Sequence, residues 1–214
     1  LISESKDYAD RGNPQKSIEL LTQALQLDST HYIARYNRST NYLNFKHYEL
    51  ALLDLQILSK TEPENDDLYY KISVCYNGLK DYTNTIAYLN KAIELQPNND
   101  GYIKDRAGIY WTIEAYEKAQ IDFNKIIELK PKNPEYYILR AFNTEELNDY
   151  ESAILDYNRA LKLDDEDYRT YYDRGNAYFT VGRVNKACTD WRTAIEKGDP
   201  RTVALTKKIK ANCN

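Results

Sequence analysis

The sequence predicts an all-α fold of stacked antiparallel helical hairpins, and three observations predict it. Pro63, Pro97 and Pro131 stand 34 residues apart, as do Ala119, Ala153 and Ala187; a period of that length marks an array in which each unit buries its apolar face against the next. Inside the period, apolar residues recur at spacings of three and four, as they do on a helix with one buried face. Only seven glycines and six prolines interrupt the chain, and 29% of its residues are charged, a composition that favours long helices over sandwiches or disordered linkers.

Cut at 34, the chain gives units at 32–65, 66–99, 100–133, 134–167 and 168–201, with residues 1–31 in phase as a unit lacking its first three positions. The whole of 1–214 therefore reads as a single array. In the truncated unit, Asn13-Pro14 opens the second helix, with Asn as the N-cap and Pro at the first helical position. In the unit at 100–133, Ile103, Ala107 and Tyr110 mark the first helix, and Ala119, Phe123, Ile126 and Leu129 mark the second. The periodic prolines fall just past each second helix, where they stop it. The run Asp164, Asp165, Glu166, Asp167 lacks the alternating ligands and glycine of a calcium loop, so an aspartate is expected to cap the next helix there. The sequon Asn37-Arg38-Ser39 falls inside a predicted helix, away from the surface loops that receive glycans. Residues 202–214 remain for a capping helix, with Val203, Leu205, Ile209 and Cys213 facing the apolar edge of the array.

Two polar residues also follow the period. Position 7 is Arg38, Arg106, Arg140 and Arg174, and position 23 of the same units is Asp54, Asp122, Asp156 and Asp190. Both types are absent together elsewhere: Glu4 with Leu20, and Ile72 with Tyr88. Sixteen residues apart on the two helices of one hairpin, each arginine is expected to meet its aspartate in a charge-assisted, bidentate contact.

Small residues occupy position 8 (Ser5, Ser39, Ser73, Ala107, Ala141, Gly175) and position 20 (Ser17, Ala51, Thr85, Ala119, Ala153, Ala187). Position 11 is tyrosine in five of six units, and position 27 is alanine in four. With proline at position 32, this pattern resembles the tetratricopeptide repeat, over nearly the whole chain. Arg35 and Ile103 depart from it at position 4, and Asp165 replaces one proline. The close of the chain, Ala-Cys-x-Asp-Trp, a Gly-Asp turn and a short helix ending in cysteine, resembles the last repeat and cap of many bacterial members. The resemblance implies a right-handed α-solenoid whose first helices line a concave groove that binds an extended peptide or a helix of a protein partner. Carried over by phase, the groove residues are Tyr36, Tyr70, Asn77, Lys104, Trp111, Phe142, Tyr172, Asn176 and Phe179. The Lys-x-x-x-Asn and Lys-x-x-x-Arg pairs with which some members clamp a terminal carboxylate are missing, so that activity is not implied.

Composition excludes other classes. A net charge of −4 gives no basic footprint for nucleic acid. No run of about 18 apolar residues is present, so no membrane span is expected. Three cysteines and two histidines make no metal cluster, and no cofactor motif occurs. No metalloprotease helix motif, phosphate loop, nucleophile elbow or Cys/His dyad is found, and a catalytic role is not expected. Cys188 and Cys213 read either as buried free thiols or as a disulfide, which would need an oxidising compartment. The chain opens at Leu1, so any targeting segment is expected to lie outside it, and the compartment stays open between cytoplasm and periplasm. Two functions follow: a non-catalytic scaffold or adaptor, and a structural segment of a larger envelope or secretion assembly that self-associates.

Overall fold

A computed structural model describes residues 1–213. The described residues form helices α1 (Ile2–Asp10), α2 (Pro14–Leu27), α3 (Tyr32–Asn44), α4 (Tyr48–Thr61), α5 (Asp66–Gly78), α6 (Tyr82–Leu95), α7 (Asp100–Thr112), α8 (Tyr116–Leu129), α9 (Pro134–Glu146), α10 (Tyr150–Leu163), α11 (Tyr168–Thr180), α12 (Val184–Glu196) and α13 (Thr202–Asn212). Two compact units divide within α7, one over Leu1–Tyr102 and one from Ile103 onward. In the first, Leu21, Ala24 and Leu25 of α2 pack on Ala34, and a second core joins Leu52, Leu55 and Leu58 of α4 to Leu68, Ile72 and Cys75 of α5. Burial pushes the Cys75 thiol up to about 12, which keeps it protonated and inert. In the other unit Ala141, Tyr157, Ala177, Tyr178, Ala187, Trp191 and Leu205 share one core.

Local chemistry sets the helix ends. Asn13 accepts from the Lys16 amide at 3.2 Å with Pro14 at the first helical position, and Asp167 accepts from the Arg169 amide at 3.2 Å to open α11. Pro63, Pro97 and Pro131 each sit one residue past the helix C-caps Glu62, Gln96 and Lys130. Asn37-Arg38-Ser39 lies within α3.

The turn inside each hairpin is a regularity the residue types conceal. Gly12, Lys46, Lys80, Glu114, Asn148 and Gly182, one per unit at the same phase, all have positive φ, between 59° and 77°. The next amide closes back on the carbonyl of position 11, as in Asp81 N to Tyr76 O at 2.9 Å and Arg183 N to Tyr178 O at 2.8 Å. This is the Schellman closure, which needs a left-handed residue and favours glycine there. Lysine and glutamate occupy the strained position because the closure and the next helix hold them in it.

Where two helices of a hairpin cross, the small residues let the backbones approach. Ala51, Ala119, Ala153 and Ala187 are fully buried. The crossing at Gly175 has no room for a side chain, because a methyl group there would stand 2.7 Å from the Trp191 indole. The buried face of α13 corrects one expectation: Val203 is 72% exposed, while Leu205 is buried. Leu205, Ile209 and Cys213 follow one another at four-residue steps along one stripe, and Val203, two residues before Leu205, points to the opposite side.

Gly175→Ala is expected to lower stability by about 1–3 kcal/mol through overpacking. Gly108→Ala, in α7 with open space where its methyl would go, is expected to raise it by about 0.5–1 kcal/mol through helix propensity. Shifts of opposite sign in the urea midpoint of the two variants check both.

Candidate partner-binding face

The four arginines at position 7 are turned into the hairpins. Each grips its aspartate with two parallel bonds: Arg38 to Asp54 at 2.8 and 2.8 Å, Arg106 to Asp122 at 2.8 and 2.6 Å, Arg140 to Asp156 at 2.8 and 2.6 Å, and Arg174 to Asp190 at 2.8 and 2.7 Å. The aspartates are buried. The guanidinium groups of Arg38, Arg140 and Arg174 also reach back one hairpin, to Thr22, Asn124 and Asn158 at 3.1, 2.8 and 2.7 Å. Arg35, which departs from the repeat pattern, has a use in the same network: it donates to Asp54 at 3.0 Å and to the Ser29 carbonyl. In the hairpin at 66–99, Ile72 fills the arginine's place and is buried, and Tyr88 stacks on Tyr76 with ring centroids 5.4 Å apart.

The side chains assigned to the groove land in different environments. Tyr36 donates to Asp67 at 2.8 Å beneath the Lys71 ammonium, and Tyr70 stacks on Tyr102 at 4.7 Å. Asn77 is exposed. Lys104 reaches Glu135 at 3.4 Å. Trp111 is 41% exposed with its edge against Tyr116. Phe142 meets Tyr157 edge to face at 6.0 Å.

The last three are engaged by the capping segment. Arg201 lies 3.7 Å from the Tyr172 ring centroid. Lys208 of α13 donates to the Asn176 carbonyl oxygen at 2.7 Å and lies 4.3 Å from the Trp191 ring, with Phe179 at 5.9 Å. Asn176 also accepts from Trp191 Nε1 at 3.2 Å. The Cys188–Cys213 disulfide, with Cα atoms 5.9 Å apart, ties the end of α13 to α12. Sequence periodicity treats the last hairpin like the others, whereas the cap has no counterpart in the period, so its cations over Tyr172 and Asn176 escape the reading.

Between α9 and α11 a cleft of about 630 Å³ remains. Ile138 and Phe142 give it an apolar side, and Glu135, Asp164, Glu166, Asp167 and Asp173 surround it with Arg169. Asp164 and Asp167 are turned to backbone amides, and Glu166 pairs with Lys197 at 2.8 Å. Asp173 has no ion pair among the described residues, and Glu145, one turn past Phe142, has none either. Burial pushes the Glu145 carboxyl up to about 7 against a lowering by Tyr157, with Asp173 and Glu146 adding lesser repulsion. Burial raises Asp173 to about 6, with Arg201 opposing and Asp167 and Asp199 reinforcing. Among the described residues no cluster of metal-ligating side chains occurs, and no helix is long and apolar enough to cross a membrane.

A family model described as the tetratricopeptide repeat matches residues 66–99 and 105–133, and one described as the TPR repeat matches 146–182. The chain is a tetratricopeptide repeat protein. Solved structures agree on the fold. The C-terminal part of a TPR repeat-containing protein from Cytophaga hutchinsonii superposes with a TM-score of 0.83 at 14% identity, over 94% of this chain and 80% of that one. A tetratricopeptide repeat protein from Parabacteroides merdae gives 0.74 at 18% identity, over 100% and 97%. YrrB, described as a TPR protein with an unusual peptide-binding site, gives 0.72 at 17%, over 89% and 98%. A comparison with curated proteins returns no match. The fold is that of a protein-interaction scaffold.

Within this tetratricopeptide repeat protein, Asp156→Ala strands Arg140 and is expected to cost about 2–3 kcal/mol. The double change with Arg140→Leu removes the stranded charge and is expected to cost less than Asp156→Ala alone, read from urea midpoints. A second expectation concerns pH. Glu145 titrates at about 7 in the folded chain against 4.5 for the ordinary carboxyl, so the folded state binds more protons between those values and stability falls as pH rises through that window. The stability advantage of Glu145→Gln over the native chain should therefore grow from pH 4.5 to pH 7 and level off above it, as melting curves across that range would show.

Proposed function

We propose that the chain is a non-catalytic scaffold that holds an extended or helical segment of a protein partner along the face formed by its first helices. The cleft between α9 and α11 carries this reading. Its apolar side on Ile138 and Phe142 and its polar surround match the anatomy of protein-binding surfaces, an apolar core within a polar rim. Trp111, with 41% exposure, and Phe142 are the anchors available on first helices, aromatics being the side chains that most often dominate such contacts. The acidic balance around the cleft favours a segment that combines apolar and basic residues. Nothing in the arrangement pairs a nucleophile with a base, which supports a binding role over a catalytic one.

A second reading, a segment of a larger assembly that associates with copies of itself, has its own support. Ile121 and Leu155 are 68% and 67% exposed at one phase of the second helices, on α8 and α10. Exposed apolar side chains repeated at one phase suit a contact between like surfaces.

A photo-crosslinking residue placed at Phe142 is expected to capture a partner protein, while the same residue at Leu155 is not. Capture at Leu155 alone, yielding a second copy of the chain, together with a mass in light scattering that rises with concentration and is reset by Leu155→Glu, would replace the first reading with the second.

A further inference from the structure

The last hairpin already holds a cation, and the period shows where its equivalent lies one unit earlier. Lys208 sits among Tyr172, Asn176, Phe179 and Trp191. Thirty-four residues back, those positions are Ile138, Phe142, Glu145 and Tyr157. Trp191 donates its indole N–H to Asn176, but Phe142 offers Tyr157 no acceptor. The Tyr157 hydroxyl is consequently left without a hydrogen bond although the residue is fully buried. The Glu145 and Asp173 carboxyls both act on it electrostatically, and its approach to Glu145 stays outside the geometry of a full hydrogen bond. A buried hydroxyl without a partner costs about 1–3 kcal/mol, and two carboxylates that form no ion pair among the described residues add to the cost of the empty arrangement.

We propose that the α9–α11 cleft binds one cationic side chain, lysine or arginine, of a partner segment, with its charge held by Glu145 and Asp173 and its alkyl stem against Phe142 and Ile138. The proposal rests on the reading that the first-helix face binds a protein segment. The chemistry of each wall fits such a side chain. The cation donates to the two carboxylates and to the Tyr157 oxygen, whose own hydrogen then turns to Glu145, so that the orphan hydroxyl gains partners. Long basic side chains lay their methylenes on apolar surface while the head stays among polar groups, and Phe142 presents that surface beside the carboxylates. Charged groups facing the pair come from every neighbouring element: Glu146 from α9, Asp167 at the start of α11, and Asp199 and Arg201 from the segment before α13. Arg201 and the cleft-lining Arg169 are the cations here; Arg201 is bound to Asp199 at 2.7 and 2.9 Å, and Arg169 is outnumbered by Glu135, Asp164, Glu166, Asp167 and Asp173, which leaves the balance negative.

Two acetylated, amidated pentapeptides test this, Leu-Ala-Arg-Ala-Leu and the same peptide with norleucine in place of arginine, titrated calorimetrically at pH 7. The native chain is expected to bind the arginine peptide at least about tenfold more tightly, as a desolvated charge pair would give. The double variant Glu145→Gln with Asp173→Asn is expected to bind both peptides alike. Binding of the arginine peptide should also release protons in the native chain at pH 7, seen as a dependence of heat on the buffer, and bring the Glu145 carboxyl, followed by carbon-13 NMR, down from about 7. That second measurement uses the unaltered protein and does not depend on the variants folding. Equal binding of the two peptides by the native chain would overturn the cation site while leaving the groove reading intact. A preference for arginine that survives in the double variant would also overturn it. Binding of neither peptide would overturn it too, and the crosslink at Phe142 would then decide the groove reading separately.

Discussion

The paired arginine and aspartate at positions 7 and 23 are the interaction on which each hairpin that carries them depends. An aspartate buried between two helices cannot stay ionised without a partner, and a guanidinium supplies both bonds at once from the facing helix. The third donor of Arg38, Arg140 and Arg174 then reaches the preceding hairpin, so one side chain fixes helix to helix and hairpin to hairpin. The hairpin at 66–99 shows the other stable solution, in which Ile72 and Tyr88 replace the whole pair with apolar packing. A half-pair, an arginine or a buried aspartate at these positions without the other, is the costly state, and none of the six units has one.

That clamp also decides what the first helices have left to offer. In the unit over Leu1–Tyr102, the aromatic side chains of first helices find partners on the neighbouring hairpin: Tyr36 donates to Asp67, Tyr102 donates to Asp66 at 2.8 Å, and Tyr70 stacks on Tyr102. Burial, and then bonding to carboxylates, raises the Tyr36 and Tyr102 hydroxyls, so both stay protonated donors. In the last hairpin the cap plays the same part, with Lys208 and Arg201 laid over Tyr172 and Trp191 and the disulfide holding α13 in place. Cation–aromatic contacts of this kind contribute about 0.5–2 kcal/mol each, depending on desolvation.

How much of this was legible in the sequence depended on whether a feature recurs. The hairpins, the proline stops, the Asn13 and Asp167 caps and the residues that meet as Arg–Asp pairs all repeat at a fixed phase or carry their own local signal, so one chain contains several readings of each. The left-handed turn position also repeats, but its residues are Gly, Lys, Lys, Glu, Asn and Gly, and the type alone hides the common φ. Arg35 reads as a departure because no other unit has an arginine at position 4, so nothing in the period announces its bond to Asp54. Glu145 and Asp173 stand on different helices, and their raised affinity for protons comes from burial and from repulsion by nearby carboxylates, neither of which has a sequence pattern. Val203 differs for a simpler reason: its apolar type suits the buried stripe, but two residues before Leu205 it lies on the opposite side of the helix and stays exposed.

The contrast between hairpins bears on specificity. Where polar and aromatic groups of the first-helix face already have partners, a ligand gains little from them, because each new bond replaces an existing one. The hairpin at 134–167 differs: position 9 is phenylalanine where the next hairpin has the asparagine that accepts from Trp191, and position 12 is a carboxylate where the next has Phe179. Those two substitutions leave a buried hydroxyl and a carboxylate unanswered beside an apolar wall. Unsatisfied groups weaken the free state more than the bound one, so a side chain that satisfies them gains affinity that one without the matching charge cannot. Discrimination among partner segments should therefore reside in this hairpin, even if most of the contact area lies elsewhere, because selectivity follows the groups that only one kind of side chain can complete.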